Sequence, residues 1–374
     1  MRAKAISLLF LALLLAQPVS ALSYPITVTF GRSWPLAVVV DSNRGLAYFD
    51  ATSGDYPPTG YLFGVVNVTS HTVEATLPLD VIPGPVALNQ ANGDVYVAGN
   101  KTIAVFDGRT QTFAKEIGVG RPILDMTFDS NASQYIFFTS GNDVYSVDPS
   151  NGAMVANATV GNGAGGLVLD PTGGKLYVAQ YLSPVISIFD PSTLTLLGTI
   201  QLTQCCASQL AIDPAEHVMY ASTGSDYVDV VNLASQTLSS TPQVAPSSGN
   251  STNSIAVDTG TGRVFVSSTP GGSIIELDGP DGAIIGTFKV YSEVAGLAAD
   301  TKTGELYATN YHQVTVFNVA RGRGLLLLLG LAAILVVGAA VAILVVMRRR
   351  KSREKIRVQE GSANRKAQDG RSTI

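Results

Sequence analysis

The chain is poor in the side chains that usually do chemistry. Its 374 residues include two cysteines, three histidines and one tryptophan, and 14% are charged. The cysteines, Cys205 and Cys206, are adjacent, so they cannot staple distant segments; they either bond each other or stay free. His71, His217 and His312 are scattered and offer no zinc-ligand spacing. No HExxH, nucleophile elbow or Walker loop occurs. The Asp-x-x-x-Gly turns lack the alternating oxygens of an EF-hand loop, so they read as structural turns and not as calcium sites. Neither a catalytic residue nor a cofactor or metal is expected.

Long hydrophobic runs are few, and each has a plain reading. Residues 1–22 have a basic start (Arg2, Lys4), an apolar centre from Ile6 to Leu15 and the small residues Val19-Ser20-Ala21, which is the pattern of a signal peptide. Gly324 to Met347 is 24 residues without charge, enough for a transmembrane helix, after a short linker at 320–323. Arg348-Arg-Arg-Lys351 follows, and the tail 348–374 carries ten Lys/Arg against three Asp/Glu. By the positive-inside rule the tail is cytoplasmic and residues 23–319 lie outside, as a single-pass type I protein at the plasma membrane. Apart from the tail and the two basic residues of the leader, the chain has twelve Lys/Arg and 25 Asp/Glu. That acidity disfavours nucleic acid as a partner.

What the chain does have is a repeat. An acid or amide ends the first strand signal of each unit: Asp41, Asn89, Asp129, Asp170, Asp213, Asp258 and Asp300, spaced by 40 to 48 residues. Seven residues after each stands Tyr48, Tyr96, Ile136, Tyr177, Tyr220, Phe265 or Tyr307. Four residues after five of them stands a glycine, with Ser133 and His217 in the other two units. A second register runs through Asn67, Asp107, Asp148, Asp190, Asn232, Asp278 and Asn318. An Asp carboxylate accepts N–H bonds inside the following turn, and Gly supplies a positive φ there. Four short strands per unit at this period predict an all-β fold, a β-propeller of about seven blades. The last unit has only three strands, so Tyr24–Phe30 is expected to pair into it and close the ring. Closure removes two exposed sheet edges.

The units resemble the YVTN β-propeller repeat family. Lys175-Leu-Tyr-Val-Ala and Asp94-Val-Tyr-Val-Ala-Gly-Asn are similar to its Tyr-Val-Thr-Asn core. Val185-Ile-Ser-Ile-Phe-Asp190 and Ile103-Ala-Val-Phe-Asp107 are similar to its third strand, and Gly118-Val-Gly-Arg-Pro122 to its inter-blade Val-Gly-x-x-Pro. The resemblance spans roughly residues 24–319 and implies a membrane-anchored, surface-layer-like propeller; its motif is scaffold and names no ligand.

The third strand of the last unit ends about five residues before Gly324. The loops between blades and between second and third strands are therefore expected on the face away from the membrane. That outer face carries the candidate binding residues Arg32, Trp34, Tyr56, Arg121, Tyr181, Cys205, Cys206, Tyr311 and His312. Trp34 and Arg121 occupy equivalent loops, and aromatic and Arg side chains there suit a protein or glycan ligand. Trp34 reads equally as a plug in a blade junction. Two long loops are expected, Ala51 to Gly60 and Ser239 to Ser254. Five Asn-x-Ser/Thr sites, at Asn67, Asn100, Asn131, Asn157 and Asn250, are candidates for glycosylation outside the cell. These features point to a cell-surface binding or scaffold module. The alternative is an extracytoplasmic propeller enzyme of the lactonase or quinone- or metal-dependent dehydrogenase type, which would need acids and histidines converging on the central funnel.

Overall fold

The computed structural model describes residues 25–31, 33–54, 58–244, 251–269, 272–290 and 292–319. The expected leader, linker, membrane span and basic tail lie outside these, as do Arg32, Tyr56 and Asn250. Among the described residues no helix is long and apolar enough to cross a membrane. The strands all belong to one compact unit, which ends at Asn318.

Seven four-stranded antiparallel sheets make the blades. Their first strands, such as Trp34–Asp41, Ala164–Asp170 and Val294–Asp300, touch one another in sequence around the ring and are innermost. The seventh sheet combines Val294–Asp300, Glu305–Asn310 and Gln313–Asn318 with the N-terminal strand Ile26–Thr29. Ile26 pairs with Val316 and Thr29 with Gln313, so the ring closes by the strand pairing expected from the sequence. A side-chain clasp reinforces the closure: His71 of blade one places Nε2 3.0 and 3.1 Å from the two carboxylate oxygens of Glu305 in blade seven.

The loops differ from expectation at their edges. The second strand of blade one continues through Ser53 and the third begins at Gly60, so Ala51–Ser53 and Gly60 are strand. The first strand of blade six begins at Ser251 and takes up the end of the expected 239–254 loop.

The repeated acids act in their turns as expected. Asp129 accepts the N–H groups of Asn131, Ala132 and Ser133 at 2.9, 3.1 and 2.8 Å. Asp213 and Asp300 accept from residues two positions on. Gly174 and Gly304 take φ of +59° and +67°. One register needs correction. In blade three the left-handed residue is Gln134 (φ +59°), one later than in the other units, so the turn is one residue longer. Phe137, not Ile136, then lies opposite Thr127, as Tyr177 lies opposite Val168 and Tyr220 opposite Ala211. All seven blades thus carry a buried aromatic at this position. Burial pushes the phenols of Tyr48, Tyr96 and Tyr177 up to about 12.

The apolar clusters lie between blades. Tyr48, Phe63 and Val65 of blade one pack with Val95, Val97 and Phe106 of blade two. Blade seven meets blade one the same way, through Tyr307, Val314 and Val316 against Val38, Ala47 and Phe49.

Two residues after the aromatic, five blades place a buried polar side chain: Asp50, Thr139, Ser222, Ser267 and Thr309. Their role follows from irregularities in the first strands. In blade one the register shifts between Pro35 and Val38, which takes Leu36 and Ala37 out of the ladder. Asp50 accepts the Ala37 N–H at 2.7 Å, and Thr309 of blade seven donates to the Leu36 carbonyl at 2.6 Å. Blade six has the same shift between Thr252 and Ile255, where Ser222 of blade five donates to Asn253 O and Ser267 accepts the Ser254 N–H. In blade four, Thr139 donates to Gly165 O and Asp125 accepts the Leu167 N–H, both from blade three. Buried backbone groups left unpaired would each cost about 1–3 kcal/mol.

Burial pushes the Asp50 carboxyl up to about 7, against the lowering effect of the Ala37 N–H. An unfolded Asp releases its proton near pH ~3.9. Between those values the folded state binds more protons than the unfolded one, so this group's contribution to stability falls as pH rises from about 4 to about 7. Asp50→Asn is expected to be more stable than the parent at pH 8, by roughly 4 kcal/mol, and to match it near pH 4. Urea unfolding at both pH values checks this; an equal difference at both would show that the carboxyl does not titrate in this range. A second pair of variants isolates the turn. Space around Gly174 and Gly198 is open, but only Gly174 has positive φ. Gly174→Ala should cost about 1 kcal/mol, whereas Gly198→Ala, in a strand, should gain about 0.5 kcal/mol in thermal unfolding.

Candidate binding face

The axis of the ring is open. Two recesses of about 470 and 320 Å³ meet at Val38, Val86 and Leu297. Most of the side chains around them are apolar, with Met126, Phe128 and Ile255 among them. Asp125 is the acid at the outer end, and it is occupied by the Met126 and Leu167 N–H groups. Burial pushes its carboxyl up to about 6. Among the described residues, no three His, Cys, Asp or Glu side chains come together in a metal-binding arrangement.

A third recess, of about 290 Å³, opens on the outer loop face where blades six, seven and one meet. Trp34 and Tyr311 line it, with ring centroids 4.7 Å apart. His312 stands 4.0 Å from Tyr311 and 5.9 Å from Trp34, centroid to centroid, and its Nδ1 lies 3.2 Å from the Ser33 carbonyl oxygen. Local structure fixes this cluster. Tyr311-His312 is the two-residue turn between the last two strands of blade seven, with His312 left-handed at φ +64°. Trp34 opens the first strand of blade one, and the bulge at Pro35–Leu36 forms the recess floor beside it. Trp34 thus bridges the blade junction and lines a pocket, the two roles the sequence left open. Its indole Nε1 is buried without an acceptor among the described residues. Asn253, Ser292, Glu293 and Asn310 add polar groups to the lining. No sequence signal singled these out, because they come from three separate segments in two blades.

The other candidates do not join this recess. Arg121 lies over Tyr145, with its guanidinium carbon 4.3 Å from the ring centroid, and donates to the Tyr145 hydroxyl. That hydroxyl donates in turn to Asp143 at 3.0 Å. Arg121 is therefore engaged within blade three, away from Trp34, although the two loops are equivalent. Tyr181 is exposed on the same face in blade four, next to the more exposed Leu182. Cys205 and Cys206 are joined in a disulfide with an S–S distance of 2.03 Å, in the loop before blade five. Thr203 in that loop is held by Asp229 through its N–H and hydroxyl. Ile82 and Leu124 add exposed apolar tips in neighbouring loops.

The glycosylation candidates fall in different places. Asn100 is exposed in a loop of the outer face, and Asn157 is exposed on a fourth strand. Asn131 lies in a turn at the opposite mouth of the axial opening. Asn67 spends its side chain on its own turn, accepting from Thr69 and Ser70 and donating to Glu74.

No family model matches the sequence, and no curated protein matches it. Among solved structures, the chain is similar to the β-propeller domain of Cps50 (Swd1) from Myceliophteria thermophila, with a TM-score of 0.67 and 11% identity. That alignment covers 79% of this chain and 98% of the other. At that identity the likeness speaks for the propeller fold alone.

The Cys205–Cys206 bond closes the smallest loop a chain permits, so it removes little entropy from the unfolded state. Replacing both residues by Ser should lower stability by no more than about 1 kcal/mol in thermal unfolding, with blade packing unchanged by near-UV circular dichroism.

Proposed function

We propose that this protein is a membrane-anchored propeller that binds a glycan outside the cell, in the aromatic recess of its outer loop face. One observation carries the reading: Trp34 and Tyr311 stand together in a partly open pocket whose other side chains include Asn253, Ser292 and Glu293. Aromatic faces pack against the apolar face of a sugar ring, and the amide, hydroxyl and carboxylate groups answer its hydroxyls. The volume lies at the small end of ligand pockets, roughly 300–1,000 Å³, which suits one terminal sugar unit and not a long chain. Exposed apolar tips in other loops of that face, Tyr181, Leu182, Leu124 and Ile82, extend the surface on which a larger partner would rest.

The placement outside the cell rests on the sequence: a signal-peptide pattern, a 24-residue uncharged segment and a basic tail. The YVTN-like repeats, the surface-layer association they imply and glycosylation at exposed Asn100 and Asn157 belong to the same reading.

The test uses the full-length protein in bilayer nanodiscs, applied to a glycan array. Native protein is expected to retain a restricted set of glycans. Trp34→Ala and Tyr311→Ala are each expected to lose at least tenfold in affinity, about 1.4 kcal/mol, while staying folded with one cooperative unfolding transition, at a lower temperature for Trp34→Ala because it empties part of the blade junction. Undiminished binding by both variants would move the site elsewhere, and no binding by the native protein would remove the glycan reading.

A further inference from the structure

The fourth strands carry a second repeated feature that the binding face does not use. Each of the six blades numbered one to six has a register shift between its third and fourth strands, one pair inside the turn that joins them. The residue at the turn side of the shift is apolar in every case: Val73, Phe113, Met154, Leu196, Leu238 and Ile284. In blades three, four and six the extra residue of the bulge is apolar too: Val155, Leu197 and Ile285. A bulge breaks the alternation of a strand, so two neighbouring side chains turn outward instead of one.

Except for Leu238 of blade five, which packs half-buried against the apolar cluster of blades four and five, these side chains are on the surface. Phe113, Leu196, Leu197, Ile284 and Ile285 are 49–56% exposed, and Met154 and Val155 40–43%. Single exposed apolar residues need no explanation. A ring of them at one repeat position does, because it marks a surface set aside from water. Further along the same strands the exposed side chains are polar: Glu116, Asn157, Thr199 and Thr287. The perimeter is therefore apolar at one end and polar at the other. The apolar ring lies one residue pair from the turns, about 3–4 Å from the end of the sheets.

The chain itself says what covers this end. The third strand of blade seven ends at Asn318, the counterpart of Asn67 and Asp107, at the same end of the blades as the apolar ring. Five residues separate it from Gly324 to Met347, without charge, and then comes Arg348-Arg-Arg-Lys351. If the segment 324–347 spans a bilayer, a link of five residues, at most roughly 17 Å when extended, tethers this end of the sheets close to the membrane surface. Interfacial apolar side chains reach about 5–10 Å into the headgroup region. We propose that the apolar ring on the fourth strands is a lipid-contact rim, seated in the interface of the bilayer that anchors the chain. The inference rests on the reading that 324–347 spans that bilayer.

The experiment places single nitroxides on the full-length chain in nanodiscs of phosphatidylcholine with phosphatidylglycerol. Labels are attached without reductant, which keeps the Cys205–Cys206 bond. Phe113→Cys, Leu197→Cys and Ile285→Cys report on the rim, Thr199→Cys and Leu182→Cys on the polar perimeter and the opposite face, and Val336→Cys on the anchor. Collision rates with oxygen, which enters lipid, are compared with those of a water-soluble nickel chelate. The rim labels are expected to show an oxygen-to-nickel ratio several-fold above those at 199 and 182. Rim labels as wet as position 182, with position 336 in lipid, overturn the rim and leave the anchor standing. If position 336 is wet as well, the anchoring reading fails with it. If position 336 is wet and the rim is not, the rim binds lipid without the anchor. Dipolar broadening between rim labels of two chains in one disc would show a second copy covering the ring and would overturn the lipid contact.

Discussion

The inner strands of this propeller leave the regular ladder near the outer end of the axial opening, and the backbone groups released there have to be satisfied away from water. The polar side chains two residues after the core aromatic do this. Thr309, Thr139 and Ser222 reach across to the carbonyls of the next blade, while Asp50 and Ser267 hold N–H groups of their own blade. Bonds of the first kind tie neighbouring blades where the apolar clusters alone would let them slide. Hydrophobic packing is not directional; these hydrogen bonds are, and they fix each blade against the next.

The binding recess depends on the same constraint. Its floor is the Pro35–Leu36 bulge, and the Leu36 carbonyl is held by Thr309 from the last blade. The residues beside Thr309 lead into the Tyr311-His312 turn, whose rings meet Trp34. The pocket is thus placed at the one junction where the two ends of the propeller meet, fixed by the N-terminal strand pairing and by the His71–Glu305 clasp. Its position is set by the closure of the ring, and not by the loops that carry its side chains alone.

The two ends of the blades have different surfaces. One presents long loops with aromatic and apolar tips around small recesses. The other presents tight Asp-capped turns, bordered by the bulged fourth strands and their apolar rim. In both places function is read from a departure from regular strand geometry, because a regular strand alternates its side chains and has no means of gathering them on one side.

Sequence alone determined the repeat, a blade number of about seven and the closing strand. The Asp-capped turns and buried aromatics recur at fixed separations, since local hydrogen bonding and burial recur in every blade. It also located the long uncharged segment that the anchoring proposal uses. It misplaced Ile136 for Phe137, because a one-residue longer turn that ends in left-handed Gln134 carries no glycine to mark it. Asp50 and Thr309 read as unremarkable polar residues, since the groups they satisfy are 13 and 273 residues away. The same holds for the site. Trp34, Tyr311 and His312 were legible as exposed aromatics, but equivalent loop positions also suggested Arg121, which turns onto Tyr145 instead. Only the closed ring decided which of these residues share a pocket, because their proximity is a property of the junction between the first and last blades.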